Sequence, residues 1–186
     1  MSQPMILALL SGAKTQTRRA VKLPLIDRQF TGWAVAGCEA NSLLREGHHE
    51  LCPYGKVSDH LWVKETFAPH PEVNAETIYR ADRGGDYQGA AQGDFKWKPS
   101  LFMPRARSRI TLEITEIRVE RLQDISDGDA KLEGCIVCED RSHSHAEHGL
   151  RYTPYRTAYQ ALWESIHGKG AWDVNPWLWV IGFKKL

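Results

Sequence analysis

The first apolar run, Met5-Ile6-Leu7-Ala8-Leu9-Leu10, lies between Pro4 and Gly12. Proline in a first turn and glycine where a left-handed cap is wanted predict a short buried helix, which Lys14 to Arg19 then leave. Residues 20 to 57 hold no sustained period and are interrupted by Pro24, Gly32, Gly37, Gly47 and Pro53, so loop and short strand are expected. His60 to Phe67 has the aromatic and β-branched content of a strand, introduced by Tyr54-Gly55 and Ser58-Asp59 as turn chemistry. A second short strand is expected at Thr77 to Arg80, and an exposed loop from Gly84 to Gly93.

The clearest alternation is Ser108 to Leu122, "SRITLEITEIRVERL". Ile110, Leu112 and Ile114 share one parity while Ile117 and Val119 share the other, so a β-bulge is expected at Thr115-Glu116. Ser126, with an acidic residue three positions on, predicts a helix running to Glu133 and stopping at Gly134. Residues 135 to 152 are polar and histidine-rich without apolar period. Thr153-Pro154 starts a helix in which Tyr155, Ala158, Tyr159, Leu162, Trp163 and Ile166 keep helical spacing up to Gly168. The segment "WLWVIGFKKL" predicts a closing strand with Trp177, Trp179, Ile181 and Phe183 on one face.

Strands and helices alternate irregularly, and no glycine-rich phosphate loop joins a strand to a helix. The expected class is α+β, a small curled sheet or mixed β-barrel flanked by helices. A chain of 186 residues suits one domain with a core that needs no disulfides. That domain spans residues 1–186, with loop insertions near 20–57, 82–100 and 135–152.

Composition narrows the function classes. Hydrophobic residues at 42% and charged residues at 25% are the balance of a folded, soluble body. The apolar run at Met5 to Leu10 is far short of a membrane span and lacks signal-peptide flanks, so no membrane partner and a cytoplasmic location are expected. A net charge of +1 argues against bulk electrostatic capture of nucleic acid, although a local basic groove is compatible with it.

Several clusters carry chemistry. "SGAKTQTRR", Ser11 to Arg19, spaces Lys14, Thr17 and Arg19 as G-x-K-x-x-T-x-R from Gly12. A desolvated amine near a hydroxyl can act as its general base, with Arg18 and Arg19 as neighbouring cations. The competing reading is that these cations complement a helix C-terminus. Glu133, in the last turn of its helix, faces the negative end of the dipole, which suits a proton donor, or is an ordinary surface glutamate.

Lys96, Lys98, Arg105, Arg107 and Arg109 interleave with Trp97 and Phe102, a mixture that suits phosphates and base faces or simply an exposed loop. Cys135 and Cys138, with His143, His145 and His148, supply zinc-ligand types at irregular spacing, against which stand unligated thiols and surface histidines. The tryptophans at 163, 172, 177 and 179 read as core and edge packing.

At "SGAKTQTRR" the chain resembles the signature of ASCH domains, members of the PUA-like superfamily. Other segments resemble the family in order: "CPYGKVSDHLWVKETF" its turn and strand, "RITLEITEIRVERLQDIS" its long strand, "DAKLEG" its short helix, and "WESIHGKGAWDVNPWLWVIGFKKL" its closing helix and strand. The arrangement is most similar to ASCH-containing proteins common in phages and prophages. One departure is Ser58, which stands where the family generally has glycine.

The resemblance implies a PUA-like barrel with a cleft for RNA or a modified nucleoside, and no cofactor. Enzymes of the superfamily similar in these motifs hydrolyse N4-acetylcytidine with a lysine base, a threonine nucleophile and a glutamate acid. Those roles map onto Lys14, Thr17 and Glu133, with substrate or nucleic-acid contacts expected from Arg19, Arg18, Trp62, Lys98, Arg105 and Arg107. An RNA-binding module or a ribonuclease is the alternative.

Overall fold

Turn chemistry and apolar spacing translate into eight strands and three α-helices among the described residues. The structure is a computed structural model that describes residues 2–22, 25–26, 34–35, 42, 44, 51–69, 76–83, 96–135 and 154–186. In chain order the elements are α1 (Gln3–Leu10), β1 (Gln16–Ala20), β2 (Leu25–Ile26), β3 (Ala34–Val35), β4 (His60–Trp62), β5 (Phe67–Pro69) and β6 (Thr77–Tyr79). They continue with β7 (Thr111–Arg121), α2 (Asp127–Leu132), α3 (Pro154–His167) and β8 (Trp177–Lys185), with short 3-10 turns between some of them.

Helix α1 forms where the apolar run predicts it and buries Ile6, Ala8 and Leu9. Gly12 follows at φ +76°, the left-handed conformation that costs glycine least. The next residues do more than leave the helix. "QTRRA" forms β1 because β8 supplies a complete antiparallel ladder, Gln16 opposite Gly182 through Ala20 opposite Leu178. Tertiary pairing overrides the poor strand propensity of this polar sequence.

The main sheet is curled and antiparallel, in the order β1-β8-β7-β4. The predicted bulge is present: Ile114 pairs with Phe183 and Glu116 with Gly182, so the ladder skips Thr115. That skip lets Ile114 and Ile117, of opposite parity, enter one core cluster with Trp179 and Ile181.

One expectation about strands is corrected. The run His60 to Phe67 is not one strand: β4 ends at Trp62, β5 begins at Phe67, and between them Glu65 turns inward to pair with Arg109. The closing strand forms with Trp177, Trp179, Ile181 and Phe183 on one face as expected, and its other face is covered too, since Leu178 and Val180 are as buried as Trp179 and Ile181. Leu178 meets Leu122, Ala130, Tyr159 and Trp163 beneath α2 and α3, while Trp179 packs on the opposite side with Leu44 and Cys52.

Helix α2 begins as the sequence predicts, with the Ser126 hydroxyl accepting the Asp129 N–H at 3.0 Å. It ends one residue early, at Leu132, and Gly134 carries the left-handed turn at φ +82°. Helix α3 follows its apolar spacing, burying Tyr159 and Trp163, but Ile166 near its end is exposed. The loop expected at Gly84 to Gly93 and the polar stretch from 136 to 152 lie outside the described residues. Among the described residues no helix is long and apolar enough to cross a membrane.

Candidate active site

The short connector between α1 and β1 is held by backbone bonds to three elements. Lys14 N–H bonds to the Ala8 carbonyl (2.9 Å), Thr15 N–H to the Leu132 carbonyl (3.0 Å), and the Thr15 carbonyl accepts Phe183 N–H (2.8 Å). These fix Lys14 against the C-terminus of α2. Gly134 lets the two backbones meet, for a Cβ there would stand 3.1 Å from both Ala8 Cβ and Lys14 Cβ.

Lys14 Nζ donates to the Glu133 carbonyl oxygen at 2.7 Å and to Glu133 Oε2 at 2.8 Å. Both side chains are buried, 4% and 6% exposed. The other carboxylate oxygen, Oε1, accepts from Arg18 at 3.3 Å. Alternation along β1 turns Gln16 and Arg18 inward. The Arg18 guanidinium, wholly buried, also pairs with Glu120 Oε2 (3.0 Å) and Asp129 Oδ2 (3.5 Å).

Arg118 completes the outer side of the cluster, donating to Glu120, to Asp129 Oδ1 at 3.1 Å and to Glu116 Oε2 at 2.9 Å. Charge removed from water is strongly disfavoured unless paired, and each buried charge here has an opposite partner. Burial would raise the Asp129 carboxyl, but the Ser126 hydroxyl, Arg18 and Arg118 more than offset this and hold it below its ordinary value.

A cavity of about 300 Å³ opens over this pair. Lys14, Thr17, Arg18, Arg19 and Glu133 line one side, and α3 supplies Tyr159, Trp163 and His167 opposite. The His167 ring stacks on Trp163 with centroids 3.9 Å apart, and its Nδ1 lies 3.1 Å from the Trp163 carbonyl oxygen. Burial, reinforced by the charge of Glu133, holds the Tyr159 phenol above its ordinary range, so it remains a neutral donor. The Thr17 side chain is half-buried, and the Lys14 amine bonds to Glu133 rather than to the Thr17 hydroxyl.

The structure brings Lys14, Thr17, Arg18, Arg19 and Glu133 to one cavity. The sequence reading did not single out the wall from α3. Trp163 and His167 are four apart on a predicted helix, a spacing that places them on one face and could have flagged the pair.

The other expected contact residues lie elsewhere and do not line this cavity. Trp62 sits on β4 with the Lys64 ammonium 4.8 Å over its ring. Lys98 bridges to Phe67 through the backbone, and Arg107 lies 5.7 Å over the Phe67 ring. Arg105 is exposed, whereas Arg109 is bound to Glu65 and Asp82.

Cys135 is a buried free thiol, pushed up to about 11 by burial and then by the charge of Glu133, against the opposing effect of Lys14. Cys138, His143, His145 and His148 lie outside the described residues. Comparison of the chain with protein-family models, curated proteins and solved structures gives no match.

Proposed function

We propose that the chain is an amidohydrolase acting on N4-acetylcytidine or a related acylated nucleoside, in a fold of the PUA-like, ASCH type. The observation that carries this reading is the buried Lys14–Glu133 contact of 2.8 Å beside Thr17 in one small cavity. Transfer of one proton from Lys14 Nζ to Glu133 Oε2 leaves a neutral amine and a carboxylic acid. Those are the base and the acid that amide cleavage requires, and the cluster's net charge does not change.

In the proposed reaction the amine takes the Thr17 proton as Oγ1 bonds to the acyl carbon. The amide C–N bond then breaks, and Glu133 supplies the proton to the departing amino nitrogen. Water adds to the Thr17 ester, acetate leaves, and Oγ1 regains a proton. The cavity is at the small end of ligand pockets, roughly 300–1,000 Å³, which suits a single nucleoside.

The test is acetate release from N4-acetylcytidine, free and within RNA. The parent protein should release acetate, and folded Lys14→Met, Thr17→Ala and Glu133→Gln variants should be slower by about 10²- to 10⁴-fold. No release by the parent, or an unchanged rate in Thr17→Ala, would overturn the reading.

RNA binding or cleavage is the second reading, favoured by exposed Leu101 and Phe102 beside Lys64, Arg105 and Arg107. It requires affinity that falls with salt and weakens in an Arg105→Ala/Arg107→Ala protein. Cleavage further requires loss of intact RNA on incubation.

A further inference from the structure

The cavity over Lys14 and Glu133 has two unlike sides. Ionic groups occupy one, and Met5 of α1 with Leu162 and Ile166 of α3 adds apolar surface to the other. Among the described residues, three aromatic rings also line it: Tyr159, Trp163 and His167. Tyr159 and Trp163 are only 4% and 5% exposed, so neither offers a ring face to a ligand, whereas His167 is exposed.

His167 ends α3, four residues beyond Trp163, a spacing that puts both side chains on one face of the helix. Their rings stack with centroids 3.9 Å apart and planes 22° from parallel. The imidazole is held at a second point, its Nδ1 lying 3.1 Å from the Trp163 carbonyl oxygen. A carbonyl only accepts, so Nδ1 carries the proton of this bond. Trp163 is itself packed against Tyr159, the two rings tilted with centroids 6.2 Å apart.

Trp163 covers one face of the imidazole. The other belongs to an exposed residue in the wall of a cavity of about 300 Å³. A ring fixed by a stack on one face and a hydrogen bond at its edge has lost its rotamer freedom before a ligand arrives, so little is lost when it binds. Every nucleobase has a π face to lay on such a ring.

We propose that the open face of His167 is the platform on which the heterocycle of the ligand stacks, extending the Trp163–His167 pair to three rings. The proposal deepens the nucleoside reading and rests on it for the kind of ring. The acyl group then lies across the cavity, toward Lys14, Thr17 and Glu133. Stacking recognises the ring and not the acyl group, so cytidine is held as well as N4-acetylcytidine.

The test titrates cytidine and N4-acetylcytidine into the Thr17→Ala protein, with and without a second change at His167. His167→Asn keeps a polar side chain and removes the ring; it should weaken both ligands by about 5- to 150-fold, with Tm near the parent value. His167→Tyr, which restores a ring, should recover most of that loss. A role confined to the helix C-terminus would instead lower Tm in His167→Asn and leave affinity unchanged, which would overturn the proposal.

Two further readouts separate the platform from the chemistry. The ring-proton resonances of His167, assigned by their loss in His167→Asn, should move upfield when cytidine is added and stay in place with ribose, which has no aromatic ring. In a protein that releases acetate, His167→Asn should raise KM and leave kcat little changed, because the stack persists through the reaction.

The same resonance shift with ribose, or binding by His167→Tyr as weak as by His167→Asn, would overturn the proposal. Acetate release with KM unchanged in His167→Asn would remove the platform and leave the amidohydrolase. No release by the parent, with cytidine still bound through His167, would remove the amidohydrolase and leave the platform. Neither release nor binding would remove both.

Discussion

Lys14 makes two bonds to one residue, reaching the Glu133 carbonyl at 2.7 Å and its carboxylate at 2.8 Å. The amine thereby caps the C-terminal end of α2, where carbonyls lack intrahelical partners and the dipole favours a cation, and it also neutralises a buried carboxylate. Lys14→Met removes both contacts and leaves Glu133 with Arg18 alone. The expected cost is about 3 kcal/mol, read as a fall in the urea midpoint. An unchanged midpoint would mean the pair is not buried in solution.

Gly134 is expected to tolerate no side chain. Its φ is +82° and an added Cβ would press on Ala8 and Lys14. Gly134→Ala should cost about 1–3 kcal/mol and should reduce acetate release further than its stability loss explains, because Lys14 must shift. Thermal unfolding and turnover measured on the same preparation check both effects.

Ser58 adopts φ +74°, the conformation that favours glycine. Its N–H bonds to the Ile114 carbonyl at 2.8 Å, so the turn must keep this shape to close β4 onto β7. Ser58→Gly should raise stability by about 1 kcal/mol. A lowered Tm would count against the strain.

Acid should destabilise the protein through Asp129. Its folded-state value lies below the ordinary 3.8, so the unfolded chain binds this proton more readily. The contribution is complete above about pH 4 and is lost as the pH falls through the folded value. Arg118→Met removes one of the cations responsible, so denaturation midpoints should decline less between pH 5 and pH 3, both about one unit from that boundary. A decline as steep as the parent's would contradict the assigned cause.

Cys135 should resist alkylation. Burial and the neighbouring Glu133 push its thiol up to about 11, so little thiolate exists near neutrality. Peptide mass spectrometry after iodoacetamide should find Cys135 modified in denatured protein and unmodified in folded protein. Rapid modification of the folded form would show that the site opens.

Legibility in the sequence followed the range of the interactions involved. The bulge at Thr115 was readable because a parity switch between Ile114 and Ile117 is a local fact of a two-residue period. The split between β4 and β5 was not readable, because what turns the chain at Glu65 is Arg109, forty-four positions away. Likewise "QTRRA" becomes a strand only because β8 offers it a partner, and β8 buries both faces only because α2 and α3 cover Leu178.

By itself the sequence determined the elements whose signals are local: α1 with Gly12, the Ser126 cap of α2 and the Pro154 start of α3. Only the tertiary structure decided that Lys14 and Glu133 share a contact, that Arg18 is buried among three carboxylates, and that Trp163 and His167 form the facing wall. Caps, turns and periodicity are written in neighbouring residues. The closing of a cavity instead depends on which distant charges must be paired once the sheet curls and the helices pack against it.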